Sequence, residues 1–192
     1  MPACDSHFHV FGPQERYPYA ADLRYKPPHA PLDDYLAHSK ELGIERYVFV
    51  QPSAYGRDNS CMLDAMRSVG ALRCRGIVDV DEDIPDAELE RMHALGVRGV
   101  RINVNPVKPP ETGFSGSILP RIRRMDARCA ELGWMLDFLT PGWLTRELIP
   151  ALKKLASPFS VAHLGMFPAK EGVKQRGFRE FLDFIRAIPP AG

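Results

Sequence analysis

The chain has 192 residues, 45% hydrophobic and 26% charged, with a formal net charge of +1. That is the composition of a globular domain with material for one sizeable core. Lys and Arg are spread along the chain without a basic stripe, which argues against nucleic acid as a partner. No segment approaches the roughly 20 continuous apolar residues that cross a bilayer, which argues against a membrane partner, and MPACDSHFHV is neither a basic leader nor an apolar run. A cytoplasmic protein is expected.

Hydrophobic period alternates short apolar or β-branched runs with longer stretches spaced three and four. The expected strands are ACDSHFHVF, RYVFVQPS, RGIVDVD, RGVRINV, WMLDFLT and FSVAHLG. Between and after them fall the expected helices PLDDYLAHSKELGI, NSCMLDAMRSVGAL, PDAELERMHALG, SILPRIRRMDARCAELG, WLTRELIPALKKLAS and GFREFLDFIRAI. Gly43, Gly96 and Gly133 stand where a left-handed residue can end a helix and feed the next strand. Proline-rich loops (YKPPHAP, VKPPE, AIPPAG) punctuate the order.

Strands linked by helices must run parallel with right-handed crossovers, which leaves an open doubly wound sheet or a barrel. The barrel is preferred. Polar residues fall toward the carboxyl ends of the expected strands (His7, His9, Gln51, Ser53, Asp79, Asp81, Arg101, Asn103, Asp137 and His163), which is the active-site face of a barrel. No G-x-G-x-x-G follows the first strand, so the dinucleotide-binding form of the open sheet lacks its main support. Six β/α units fall short of the eight of a closed barrel. The expected fold is therefore α/β, an incomplete TIM-type (β/α) barrel of six units with a parallel sheet. Its open edges invite cover by a second copy of the chain.

His7 and His9 stand two apart, and on a strand that spacing puts both rings on one face. The plain alternative is a pair of strand-end imidazoles that only hydrogen-bond. Cys4, Cys61, Cys74 and Cys129 are far apart with no C-x-x-C pair, and read as buried thiols rather than zinc ligands or a redox pair. Asp5, just before the histidines, is expected to face the helices or cap a turn. Trp134 and Trp143 read as core. No G-x-S-x-G elbow or Cys-His signature supports nucleophilic catalysis.

DSHFHVFGP on a first strand, followed by RYKPPHAPLDDYLAHSKELGIERYVFVQPSAYGRDN, resembles the amidohydrolase superfamily. More narrowly it resembles the amidohydrolase-2 branch that contains 2-pyrone-4,6-dicarboxylate lactonase, a group of predicted metal-dependent TIM-barrel hydrolases. The resemblance runs from residue 4 to about residue 185, with VQPSAYGRDN and GVRGVRIN its more specific parts. It implies a single amidohydrolase-like domain over 1–192, C-terminally shortened by two β/α units, that opens the lactone of a small carboxylated ring such as a product of aromatic breakdown. His7, His9 and His163 match the histidines around the scissile carbonyl, or the ligands of a divalent ion, most naturally zinc, where one is used. One metal and no metal both stay open. Tyr25, Ser53 and Arg101 match positions that hold substrate carboxylates; a guanidinium offers a planar fork for such a group and hydroxyls complete its hydrogen bonds.

Two departures accompany the resemblance. The sixth strand reads VAHLGMFPA, with Ala162 and Met166 where such enzymes carry an acid before the histidine and a basic residue after the glycine. The aspartate that acts as general base belongs to an eighth strand, beyond the stretch of similarity. Asp79, Asp81 and Asp137 are candidate substitutes, with a paired or solvated strand-end acid as the plain alternative. The other readings are a non-catalytic ligand-binding or assembly remnant and a metal-dependent decarboxylase of the same superfamily.

Overall fold

The computed structural model describes residues 3–23, 25–104 and 113–188, and strand alternates with helix throughout. The strands are β1 (Ala3–Phe8), β2 (Ile44–Val50), β3 (Cys74–Val78), β4 (Val97–Asn103), β5 (Met135–Leu139) and β6 (Phe159–Val161). The helices are α1 (Leu32–Glu41), α2 (Ser60–Val69), α3 (Asp86–Ala94), α4 (Phe114–Leu132), α5 (Gly142–Leu152) and α6 (Arg176–Ala187). Every strand and helix expected from the period is present, with ends shifted by a few residues. Gly43, Gly96 and Gly133 each have the positive φ expected of them. The proline runs at 107–111 and 189–192 lie outside the described residues.

Strand order follows chain order, β1-β2-β3-β4-β5-β6, and the pairs β1/β2, β2/β3, β3/β4 and β5/β6 are parallel. Right-handed crossovers that always step the same way put the helices on one face of the sheet, as in a (β/α) barrel. A doubly wound sheet reverses its order at a switch point, and none occurs here.

By contact the chain falls into two compact units, residues 1–101 and 102–192. In the first, β2, β3 and β4 bury side chains of both parities, including Phe49, Val50, Ile77, Val78, Val97 and Val100. Two-sided burial of this kind is what a parallel sheet covered by helices requires. Phe49 is fully buried, which contributes about 1.5–3 kcal/mol relative to leaving it in water. Strand β1 departs from the expected apolar run. Of its residues only Phe8 is buried, and its register against β2 shifts between Asp5 and Phe8.

The segment after β1 makes an excursion over residues 12–29, closed by a bridge between Phe11 and Ala30. Its base is fastened to α2: Tyr17 Oη donates to Asp64 at 2.8 Å, and Arg16 and Arg67 pair with the same carboxylate at 2.7 and 2.5 Å. The second unit is built on Trp134, Leu136, Phe138, Leu144 and Leu148, all at most 1% exposed. Phe181 and Phe184 of α6 join it, with Phe184 stacked on Phe159 of β6.

Hydrogen bonding from Tyr17 holds the Asp64 carboxyl below its ordinary value of 3.8 against the opposing effect of burial, and the charges of Arg16 and Arg67 add smaller pulls in the same direction. A depressed carboxylate stabilises the fold above its unfolded pKa, and that stability is lost as pH falls toward the folded value. Asp64→Asn is expected to flatten the acid limb of the urea-midpoint profile between about pH 5 and pH 3, with wild type losing more stability over that window. Parallel profiles for the two proteins would contradict this account of the clasp.

Candidate active site

The carboxyl end of β2 holds two of the expected residues at once. His9 Nδ1 lies 2.8 Å from the carbonyl oxygen of Val50, and Arg101 Nη1 lies 2.8 Å from the carbonyl oxygen of Gln51. A carbonyl can only accept, so Nδ1 carries the His9 proton and Nε2 presents a lone pair whenever the ring is neutral. Consecutive peptide carbonyls thus fix an imidazole arriving from β1 and a guanidinium arriving from β4. Arg101 is 1% exposed, and burial at that depth is tolerated for a guanidinium only with partners for its donors.

His7 lies at the open end of β1, and its ring meets that of His9 edge to face at 5.3 Å. The strand ends at Phe8, so the pair arises from a strand residue and the residue following the strand rather than from one continuous strand face. Asp5 behaves as expected. Its carboxylate accepts the backbone N–H of His7 at 3.0 Å and the Tyr35 hydroxyl of α1 at 2.7 Å, so it turns away from the imidazoles.

Ser53 opens a 3-10 turn, Ser53–Tyr55, and is half-buried. The turn is held from two sides: Ala20 N–H donates to Ala54 O at 2.8 Å, and Gly12 N–H donates to the buried Tyr55 hydroxyl at 3.1 Å. These bonds tie it to the excursion that carries Tyr25. The Tyr25 phenol is raised above its ordinary value by burial, while the charge of Arg101 pulls it the other way, so the two lie within electrostatic reach. His7, His9, Tyr25, Ser53 and Arg101 all belong to the first unit.

His163 belongs to the second unit and follows β6 directly, in the turn Ala162–Met166. The expected strand FSVAHLG is a strand only over Phe159–Val161. His163, Leu164 and Met166 each have φ of 53° and Gly165 has 77°, a left-handed turn. For residues with a β-carbon that conformation costs roughly 1–2 kcal/mol each.

The candidate substitute bases are engaged elsewhere. Asp79 is 5% exposed and faces Arg57 at 3.5 Å, while Asn59 clasps its backbone, donating to Asp79 O at 2.8 Å and accepting from Asp79 N–H at 3.1 Å. Asp81 pairs with the same Arg57. Asp137 of β5 accepts from Ser160 of β6 at 2.6 Å. Cys61, Cys74 and Cys129 are buried free thiols as expected, but Cys4 is exposed. Trp134 is core, whereas Trp143 is half-buried against Phe114.

Gln51 is the residue that the sequence understated. It is 1% exposed, and its amide donates to the carbonyls of Gly56 at 3.0 Å and Asp58 at 2.8 Å, across the loop that begins with Ser53. Its own backbone N–H bonds Ile77 O of β3. A glutamine directly after the apolar run YVFV was the available signal, because an uncharged amide that leaves a buried strand must find partners.

The metal question can be put to these residues. Among the described residues no group of three or more His, Cys, Asp or Glu is gathered as a metal cage. The His9 tautomer nevertheless suits a ligand, since a ring N–H given to a backbone carbonyl orients the other nitrogen for a cation.

The chain belongs to the amidohydrolase family: residues 4–190 match the family model described as Amidohydrolase. Members of this family are generally metal-dependent. The 4-sulfomuconolactone hydrolase of Hydrogenophaga intermedia is 36% identical over 183 residues, covering 95% of this chain and 58% of that protein. The 2-pyrone-4,6-dicarboxylate hydrolase of Comamonas testosteroni is 35% identical over 186 residues, covering 96% and 58%. A solved structure from Pseudomonas putida, provisionally assigned as a 2-pyrone-4,6-dicarboxylic acid hydrolase, superposes with a TM-score of 0.77 at 34% identity, covering 95% of this chain and 64% of that one. A structure from Acinetobacter baumannii, with citric acid bound, shares the fold with a TM-score of 0.81 at 24% identity, covering 96% and 66%. The chain spans 58% of the length of each of the two lactone hydrolases named here. The architecture is a partial TIM-type barrel, as the strand pattern indicated.

Gln51→Leu keeps the volume but leaves the carbonyls of Gly56 and Asp58 without their donor. The expected loss is about 1–3 kcal/mol in urea unfolding, with the Ser53 loop becoming more open to limited proteolysis. An unchanged urea midpoint would remove Gln51 from its structural role.

Proposed function

We propose that this chain serves the opening of a lactone in a small carboxylated ring, as one amidohydrolase-like domain, with Arg101, Tyr25 and Ser53 reading the acid groups and His7, His9 and His163 surrounding the carbonyl. One observation carries the reading: the consecutive carbonyls of Val50 and Gln51, at the carboxyl end of β2, take bonds from the His9 imidazole and the Arg101 guanidinium. A ring whose carboxylate is taken by Arg101 brings an ester carbonyl within reach of the imidazoles. The names of the relatives, lactone hydrolases acting on carboxylated or sulfonated rings, support the same chemistry. Among the described residues no helix is long and apolar enough to cross a membrane.

In this reading water adds to the carbonyl carbon and gives up one proton to a base. The carbonyl oxygen gains the negative charge, the ring C–O bond breaks, and the former ring oxygen leaves with a proton, giving an open-chain acid. Placing Arg101 in the reading of a carboxylate fixes the orientation of the ring. The base that the resemblance supplies, an aspartate of an eighth strand, is not among these residues, and Asp79, Asp81 and Asp137 have the other partners described above.

The His9 tautomer separates two versions of the proposal. With Nδ1–H given to Val50, His9 can donate to a carbonyl oxygen through Nε2 only as the imidazolium. With a divalent ion, zinc first, the His9 ring would be neutral and would offer Nε2 as a ligand. Such an ion would polarise the carbonyl as a Lewis acid.

Assay of 2-pyrone-4,6-dicarboxylate opening, with calorimetric binding of the same compound, tests the reading. Arg101→Met is expected to weaken binding by about 10-fold to 100-fold, the loss of a charge-assisted carboxylate contact, while His9→Ala lowers turnover by about 10²-fold or more with binding largely kept. Unchanged turnover in His9→Ala ends the enzymatic proposal, and binding without turnover in wild type favours the ligand-binding alternative.

A chelator distinguishes the two versions. If an ion is used, a chelator abolishes turnover. If the imidazolium donates, the chelator has no effect.

A further inference from the structure

The backbone around His163 holds itself in an unfavourable conformation, and such conformations persist only where the surroundings over-determine them. Two features of the second unit do so. Thr145 of α5 is 1% exposed, and its Oγ1 lies 2.7 Å from Thr140 Oγ1, 3.0 Å from Thr140 O and 3.2 Å from Gly165 O. Both carbonyls can only accept, so the single Thr145 proton points to them and the Thr140 hydroxyl donates to Thr145. The result is a short buried chain of hydrogen bonds that ends on the carbonyl of the third residue after Ala162.

Phe167 supplies the second feature. A β-carbon at Gly142 would stand 2.8 Å from its ring, one at Gly165 2.9 Å and one at Gly177 3.2 Å, so the ring occupies a slot that three glycines leave open. Gly165 is therefore required twice over, by its φ of 77° and by the space that Phe167 and Thr145 fill. Leu164, by contrast, is 77% exposed and contributes little packing to offset its own left-handed φ.

We propose that Thr145 is a positioning residue for His163: its buried hydroxyl, oriented by Thr140, pins the Gly165 carbonyl and so holds the left-handed turn from which the imidazole projects. The inference rests on the reading of His163 as part of the reactive site, and goes beyond it in assigning the residue that sets the ring's direction. Thr145 itself does not contact substrate in this scheme.

The test uses the 192-residue protein with ¹³C-labelled histidine and compares wild type with Thr145→Val, Thr145→Ser and Leu164→Gly, with His163→Gln to assign the His163 ring signal. Valine keeps the branched shape and deletes the hydroxyl, while serine keeps the hydroxyl. The expected result is a shifted and broadened His163 signal in Thr145→Val, with the His7 and His9 signals unmoved and wild-type behaviour restored in Thr145→Ser. Where lactone opening is measurable, Thr145→Val lowers kcat by about 10-fold to 100-fold with KM little changed, as misplacement of a reacting group does. Leu164→Gly is expected to raise the melting temperature, because glycine takes positive φ without the β-carbon penalty.

An unmoved His163 signal in folded Thr145→Val overturns the inference. Should that variant not fold, Leu164→Gly and Thr145→Ser decide: a melting temperature that stays or falls in the former, or a His163 signal displaced in the latter, overturns it equally. Failure of the lactonase reading looks different, as full activity in His163→Gln or no substrate binding by wild type, and leaves the spectroscopic and thermal outcomes to judge Thr145 alone.

Discussion

The arrangement of this protein's candidate site depends on one constraint, the termination of β2. A parallel strand that stops at a sheet's carboxyl end leaves peptide carbonyls to be satisfied, and a buried carbonyl without a donor is costly. Here Val50 and Gln51 meet that demand with His9 and Arg101. The same bonds that complete the backbone therefore choose the tautomer of an imidazole and the position of a guanidinium. Structural satisfaction and chemical preparation are one event at this strand end.

Around that pair the loops are fastened to each other rather than left to solvent. The turn carrying Ser53 takes bonds from Gly12 and Ala20 of the excursion, and the Gln51 amide closes it from beneath through Gly56 and Asp58. The excursion in turn is clasped to α2 through Asp64. Loops tied at several points hold functional groups with less conformational freedom to lose on binding, which is the physical content of preorganisation. In the second unit the same economy appears in another form, where a strained turn is kept by a hydroxyl pair and by an aromatic ring in a glycine slot.

The fold was legible to a large degree, for a simple reason. Period three-to-four and short apolar runs alternate with little ambiguity here, and glycines at 43, 96 and 133 mark helix ends where only a residue without a β-carbon sits easily at positive φ. Asp5 shares the parity of His7 and His9, so its turn toward Tyr35 of α1 was not legible from parity; it accompanies the register shift between Asp5 and Phe8. Less was visible where the strands are irregular. β1 is polar and shifted in register, and β6 is three residues long before the backbone turns left-handed, so His9 and His163 both stand just past strand ends instead of on them. The structural role of Gln51 and that of Thr145 escaped because the bonds that define them run to backbone carbonyls, which leave no mark in the identity of the residues that carry them.

By itself the sequence determined the alternation of elements, the parallel sense of the sheet, the kind of protein, and which residue types could meet a carbonyl and a carboxylate. These follow from local periodicity and from short stretches of similarity, both written in consecutive residues. Only the tertiary structure decided which nitrogen of His9 carries the proton, which peptide holds Arg101, and that the carboxylates of Asp79 and Asp81 pair with Arg57 while that of Asp137 accepts from Ser160. Those choices are hydrogen bonds between residues far apart in the chain. A donor's partner is set by the three-dimensional register of strand ends, which no local pattern encodes.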